Sequence, residues 1–224
     1  MNDGDHRNGI KDMQPDRIIY LFDPLCGWCY GASPMLTRLM AEGTSIEAIP
    51  TGLFSGSGAR PLDEAFSAYA WANDQRIQRL TGQEFSRDYL EKVLRKQGSM
   101  FDSTATTRGI VAAGLHTPLT RFSALQTLQH GRYIRGLDTS DQTVVANLLE
   151  EAGLSEAAAR VRQPDDELRL AVADLVKIGR QLFHQFNANG VPALIIEKGE
   201  SRRLVDSSAL FSNFQNLKAH VEAA

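Results

Sequence analysis

Two cysteines occur in the 224 residues, and they stand together in Phe22-Asp23-Pro24-Leu25-Cys26-Gly27-Trp28-Cys29-Tyr30-Gly31. A Cys-x-x-Cys pair suits two kinds of chemistry: thiol–disulfide exchange, or two of the four ligands of a structural zinc site. It does not staple a fold, because the loop it closes is too short to remove much chain entropy. Its setting favours exchange. The pair follows the apolar run Ile18-Ile19-Tyr20-Leu21-Phe22 and precedes a stretch compatible with a helix. At a helix N-terminus, unpaired backbone N–H groups and the helix dipole favour a thiolate. A free thiol titrates near ~8.5, and such a placement lowers that value by one to several units. Cys26 is therefore read as the attacking thiol, exposed at the mouth of the helix. Cys29, almost a turn later on the same face, is read as the more buried resolving thiol. Attack on a disulfide gives a mixed disulfide, and the second thiol releases the product. The same steps run backwards oxidise a dithiol, and slow resolution permits isomerisation, so the direction stays open.

Elements must hold those thiols in place. Arg17–Phe22 reads as a buried strand ended by Asp23-Pro24. Residues 27–41 read as a helix kinked by Pro34, and 45–50 as a second strand, giving a β-α-β unit with parallel strands. Residues 51–61 are a glycine-containing loop that lacks the Gly-Lys-Ser/Thr ending of a phosphate loop. Helical periodicity then runs to about residue 189, with candidates at 62–80, 86–95, 103–115, 121–135, 141–152 and 164–187. The last is the clearest: Leu168, Val172, Leu175, Leu182 and Phe186 share a face, Pro164 suits the first turn and Asn189-Gly190 the end. Ser103 and Thr104 read as capping residues. Residues 191–196 and 203–205, separated by Glu197-Lys198-Gly199-Glu200, form a hairpin, and 207–221 a closing helix.

Composition bounds the rest. Lys+Arg 24 against Asp+Glu 27 gives a net charge of −3, with 42% hydrophobic residues, which suits a globular protein with a real core. No basic cluster points to nucleic acid, and no long apolar run points to a membrane span. The polar start Met1-Asn2-Asp3-Gly4-Asp5 lacks the apolar core of a secretory signal, so the expected location is cytoplasmic. His116, His130 and His184 are scattered and read as surface or satisfied core histidines.

The order β-α-β, helices, β-β-α resembles the thioredoxin superfamily, in its DsbA-like branch with an inserted helical domain. Three features carry the resemblance: Cys26-Gly27-Trp28-Cys29 after a strand, Pro34 in the following helix, and Gly190-Val191-Pro192-Ala193 opening a distant strand. The pattern Asp23-Pro24-Leu25-Cys26, then Trp28-Cys29-Tyr30-Gly31, is similar to bacterial DsbA-family protein-disulfide isomerases, as are Leu137-Asp138-Thr139-Ser140-Asp141 and the helix end Glu151-Ala152-Gly153-Leu154. The resemblance implies an α/β thioredoxin-like fold with a large all-helical insertion. Its expected organisation is a flexible tail over 1–16, a thioredoxin-like domain from 17–60 and 188–224, and an insertion over 61–187.

It implies further that Pro192 is cis and that the Val191 backbone pairs with an extended substrate beside Cys26. Trp28 either lines that peptide surface or packs on the inserted helices. Asp23 either caps the active-site turn, a common role for aspartate, or relays a proton to Cys29. No histidine lies between the thiols, which removes one usual source of thiolate stabilisation. The implied partners are protein and peptide thiols and disulfides, with glutathione as a cosubstrate or a thioredoxin-type reductant, and no resident cofactor; no dimerisation module stands out in the sequence, so a monomer is the default expectation. Two rivals remain. Glutathione-dependent transferases and isomerases of the kappa and hydroxychromene-carboxylate type share the architecture but usually present a serine or a single thiol at Cys26. A zinc shared across a dimer would need ligands the neighbourhood does not offer.

Overall fold

The structure is a computed structural model that describes residues 15–96 and 98–223. Of the expected tail only Pro15 and Asp16 fall among these. Asp16 is tied down: its N–H donates to the Glu197 carbonyl (2.9 Å), and its Oδ2 accepts from Gly199 N (2.7 Å).

A four-stranded sheet has the order β2-β1-β5-β6. β1 (Arg17–Phe22) runs parallel to β2 (Ile46–Pro50) and antiparallel to β5 (Ala193–Lys198), which pairs antiparallel with β6 (Ser201–Val205). The β-α-β unit is closed by α1 (Gly27–Ala41), and the hairpin turns at Gly199, where φ is +57°, a conformation that favours glycine. Side chains alternate across the central strand, as the pleat demands. Ile18, Tyr20 and Phe22 enter the large core that includes Leu36 and Leu39 of α1. Ile19 and Leu21 face the other way, into a second core with Ile49, Ile195 and Leu182.

Between β2 and β5 lie α2 (Glu64–Thr81), α3 (Arg87–Tyr89, continued as one π turn over Leu90–Leu94), α4 (Thr104–Ala113), α5 (Thr120–Tyr133), α6 (Gln142–Glu151), α7 (Ser155–Arg162) and α8 (Asp166–Gln185). Three differences from the sequence expectation have local causes. The insertion is not purely helical, because β3 (Arg60–Pro61) pairs with β4 (Met100–Phe101) and ties the loop after β2 to the start of α4. Pro164 precedes α8 instead of starting it: Asp165 is the N-cap, its carboxylate accepting from Leu168 N at 2.8 Å. The closing helix is broken into a 3₁₀ turn, Ser207–Phe211, and α9 (Phe214–Glu222), because Asn213 caps a fresh start by accepting from Asn216 N at 2.9 Å. α9 buries Phe214, Leu217 and Val221 in the core beside α1.

Candidate active site at the start of the first helix

Cys26 is the N-cap of α1, in extended conformation (φ −78°, ψ 115°), and contributes no side-chain cap. Its sulfur donates its hydrogen to the Val191 carbonyl at 3.4 Å. The expectation of an exposed Cys26 needs correction: only 8% of the residue is accessible, because the segment ahead of β5 covers it. Cys29 is fully buried one turn on, and both are free thiols. Burial pushes the Cys29 thiol well up, and the hydrogen bond and charge of Cys26 push it further; the Asp23 backbone partly offsets this. A thiol so placed stays protonated until it is needed.

The turn that presents Cys26 is held from several sides. Asp23 is fully buried, with Oδ1 accepting from Leu25 N (3.0 Å) and Oδ2 from Phe54 N (3.0 Å) and Ser103 Oγ (2.9 Å). It thus caps the active-site turn, clamps the loop after β2 and reaches the start of α4. Burial raises its carboxyl above the ordinary value, and those hydrogen bonds hold it back. Ser103, expected as a helix cap, makes no side-chain cap bond and serves Asp23 instead. From α5, Tyr133 Oη donates to the Leu25 carbonyl (2.8 Å) and Gln129 Nε2 to the Pro24 carbonyl (3.4 Å). From below, Tyr20 Oη donates to the Cys29 carbonyl at 3.1 Å.

The small residues around the thiols admit the insertion. A Cβ at Gly27 would fall 2.3 Å from Asp74 Oδ1, and one at Gly31 2.6 Å from Ile77 Cγ2. These two glycines, one turn apart, form the groove of α1 into which α2 packs. Pro34 lies inside α1 on its exposed side. It has no N–H to offer the Tyr30 carbonyl four residues back, and Gln83 Nε2 supplies the donor there at 3.2 Å.

The Val191–Pro192 peptide bond is cis. Val191, Pro192, Asn189, Trp28 and Phe211 line a groove of about 620 Å³ beside Cys26, with Asp206, Ser207 and Ser208 on its polar side. Trp28 lines this groove, and its ring packs edge-on against Phe211 of the C-terminal 3₁₀ turn (4.9 Å between centroids), with Arg76 of α2 5.8 Å above it. A cavity of about 710 Å³ elsewhere, lined by Trp71, Leu90 and Leu94, includes neither thiol. Among the described residues no group of three or more His, Cys, Asp or Glu could hold a metal ion, and no helix is long and apolar enough to cross a membrane.

Residues 17–218 match the family described as the DSBA-like thioredoxin domain. The chain belongs to that family. Among solved structures, this DSBA-like chain is similar to the cytosolic disulfide reductase DsbM from Pseudomonas aeruginosa: 28% identity, TM-score 0.80, covering 92% of this chain and 97% of that one. The same reductase solved with GSH gives 29% identity, a TM-score of 0.74 and coverage of 92% and 98%. A candidate protein disulfide isomerase from Nitrosomonas europaea, at 23% identity, TM-score 0.75 and coverage of 94% and 97%, shares the fold. No curated protein matches the sequence. The DSBA-like thioredoxin fold expected from the sequence is thus the fold of this chain, and the family is one of thiol–disulfide oxidoreductases.

Sequence reasoning missed Tyr133, Gln129 and Gln83, and gave Ser103 a helix-capping role in place of its bond to Asp23. Each reaches the active-site turn or helix from a distant segment, and nothing local in the sequence marks it.

Proposed function

We propose that the protein is a thiol–disulfide oxidoreductase that reduces disulfides through Cys26 and Cys29, with peptides or glutathione as the sulfur partners. The position of Cys26 carries this reading: its sulfur sits at the start of α1, 3.4 Å from the Val191 carbonyl, at the edge of the groove, with Cys29 buried behind it. An extended substrate lying along Val191 brings its own sulfur to Cys26, and Trp28 and Phe211 offer apolar contact.

The steps balance. The Cys26 thiolate attacks one sulfur of R–S–S–R′; a Cys26–S–R bond forms, and R′S⁻ leaves and takes a proton. Cys29 then loses its proton and attacks the Cys26 sulfur; the internal disulfide forms and RSH leaves. Two equivalents of glutathione return the pair to the dithiol and leave as the glutathione disulfide. Asp23, buried at the base of the turn, is the carboxyl whose charge acts on Cys29, and we assign it the Cys29 proton. The similarity to a disulfide reductase solved with GSH supports the reductive direction and glutathione as electron donor. That direction suits a reducing compartment, so we place the protein in the cytoplasm. One chain supplies every residue of the mechanism, and we take the monomer as the working unit. The same chemistry isomerises disulfides when the substrate's second thiol outruns Cys29.

The test is turnover of a peptide disulfide with glutathione as the reductant. Cys26→Ser abolishes turnover, and Cys29→Ser accumulates a mixed disulfide at Cys26, visible by mass spectrometry. Turnover that persists in Cys26→Ser discards the mechanism.

A further inference from the structure

Asp74 takes no part in the exchange steps, yet it is the carboxyl that touches the start of the active-site helix. It lies on α2, 5% exposed. Its Oδ1 rests against the backbone of Gly27, where a Cβ would meet it at 2.3 Å, and Gly27 adjoins Cys26. Its Oδ2 accepts from Tyr89 Oη at 3.1 Å. Close by, Arg132 of α5 is fully buried, and its Nε and both terminal nitrogens have no hydrogen-bond partner. Its nearest carboxylate oxygen is Asp138 Oδ1 at 3.8 Å, and the rings of Tyr89 and Phe101 stand 5.5 and 5.3 Å from it. The ionisable groups that interact with Asp74 are Tyr89 of α3 and Arg132 and Tyr133 of α5, with Asp138 facing Arg132, while Cys26 is the chain neighbour of the Gly27 that Asp74 touches. Arg76, on its own helix, points out over Trp28.

We propose that Asp74 is a positioning residue through which the helical insertion sets, as pH changes, how readily Cys26 carries negative charge. This rests on Cys26 being the attacking thiol. When Asp74 is neutral, the N–H groups at the start of α1 serve the sulfur alone. When it is ionised, a second negative charge shares that field and opposes the thiolate. Burial raises Asp74 to about 7, against the pull of the Tyr89 bond and the Arg132 charge, so the change falls in the working range of a cell. With an effective dielectric near 20, unit charges about 10 Å apart shift an equilibrium by roughly tenfold. An ionised Asp74 destabilises the reduced, thiolate-bearing form and makes the dithiol a stronger reductant.

The experiment equilibrates the full chain with mixtures of reduced and oxidised glutathione from about pH 5.5 to about pH 8. The fraction of Cys26–Cys29 disulfide is read by alkylation and mass spectrometry. In Asp74→Asn, the constant for reduction of that disulfide matches wild type within roughly twofold at the acid end and exceeds it roughly tenfold at the alkaline end. Tyr89→Phe, which removes a bond that holds Asp74 down, moves the wild-type step to higher pH and carries the test should Asn at 74 fail to fold. A purely structural role changes stability but leaves the ratio of variant to wild type independent of pH. Parallel profiles for wild type and Asp74→Asn, or an unmoved step in Tyr89→Phe, overturn the proposal while leaving the exchange mechanism intact. A wild-type pair that never equilibrates with glutathione overturns both.

Discussion

At the scale of single residues, the dipeptide between the cysteines is explained by what surrounds it. Gly27 leaves room for Asp74 and Ile77, and Trp28 turns outward onto Phe211 and the groove. Gly27→Ala places a methyl 2.3 Å from Asp74 Oδ1 and 3.1 Å from Ile77 Cδ1. Neither neighbour can retreat far in a packed interface, so overpacking costs about 1–3 kcal/mol of stability. Urea unfolding read by tryptophan fluorescence measures it, and a variant as stable as wild type removes this account of the glycine. Ser103 is the converse case, a residue whose role depends on one hydrogen bond. Ser103→Ala deprives Asp23 Oδ2 of its hydroxyl donor in a fully buried site. The expected loss is about 1–3 kcal/mol, and the Asp23 carboxyl moves further up because one of the bonds that holds it down is gone. Asp23→Asn in the same background tests the cause: with no charge to support, the serine deletion costs much less.

At the scale of elements, Pro34 and Gln83 make a pair that can be separated. The proline leaves the Tyr30 carbonyl without its helical donor, and Gln83 supplies one at 3.2 Å. Gln83→Ala alone therefore costs about 1 kcal/mol. In a Pro34→Ala background the restored N–H at position 34 bonds the same carbonyl, and the glutamine deletion becomes nearly neutral. The two changes are non-additive, and a double-mutant cycle by denaturant melts reads the coupling; additive losses show that the carbonyl has another partner. The same example shows what the sequence discloses. β1, α1 and β2 are legible because strand, Cys-x-x-Cys and kinking proline are local signals with fixed spacing. The loop from Val191 is legible only through its resemblance to other proteins. The partners of the turn are not legible: Ser103 stands 80 residues from Asp23, and Tyr133 108 from Leu25. Only packing brings them together. α7 escapes notice because Ser155–Arg162 is short, with only Ala157, Ala158 and Val161 buried. The break before α9 does carry a signal, Asn213, which periodicity alone overrides. α8 spans two cores: Leu168 lies in the large one, which β1 and α1 share with the helices between β2 and β5, while Leu182 packs with Ile19 and Leu21 of β1 and Ile49 of β2.

At the scale of the whole molecule, the site is a seam. α1 packs on the sheet, but the turn that opens it is held by Tyr133 and Gln129 of α5 and flanked by Asp74 of α2. Any charge buried in that seam is a term in global stability, and the sign follows from the direction of its shift. Asp74 is raised from 3.8 to about 7, and Asp23 is raised as well, both chiefly by burial. Below the unfolded-state value, near 4, both states hold these protons and the fold bears no penalty. As pH rises from there toward 7, the unfolded chain releases them first, so the native state binds more protons and stability falls. Beyond the folded values the loss is complete. For Asp74 the shift corresponds to a few kcal/mol, on the order of 1.4 kcal/mol per unit. Glu150, Glu151 and Asp206, held low by hydrogen bonds and neighbouring arginine or histidine charges, act in the opposite direction, their contribution fading as pH falls through their folded values. Stability should therefore pass through a maximum on the acid side of neutrality. Denaturant midpoints across pH test this, with Asp74→Asn as the control. The gain of the variant over wild type should be near zero around pH 4, grow steadily toward neutrality and level off above it. A gain that is constant with pH would mean that Asp74 is already ionised, or already neutral, throughout that range, and that Tyr89 and Arg132 balance its charge quite differently from the arrangement described.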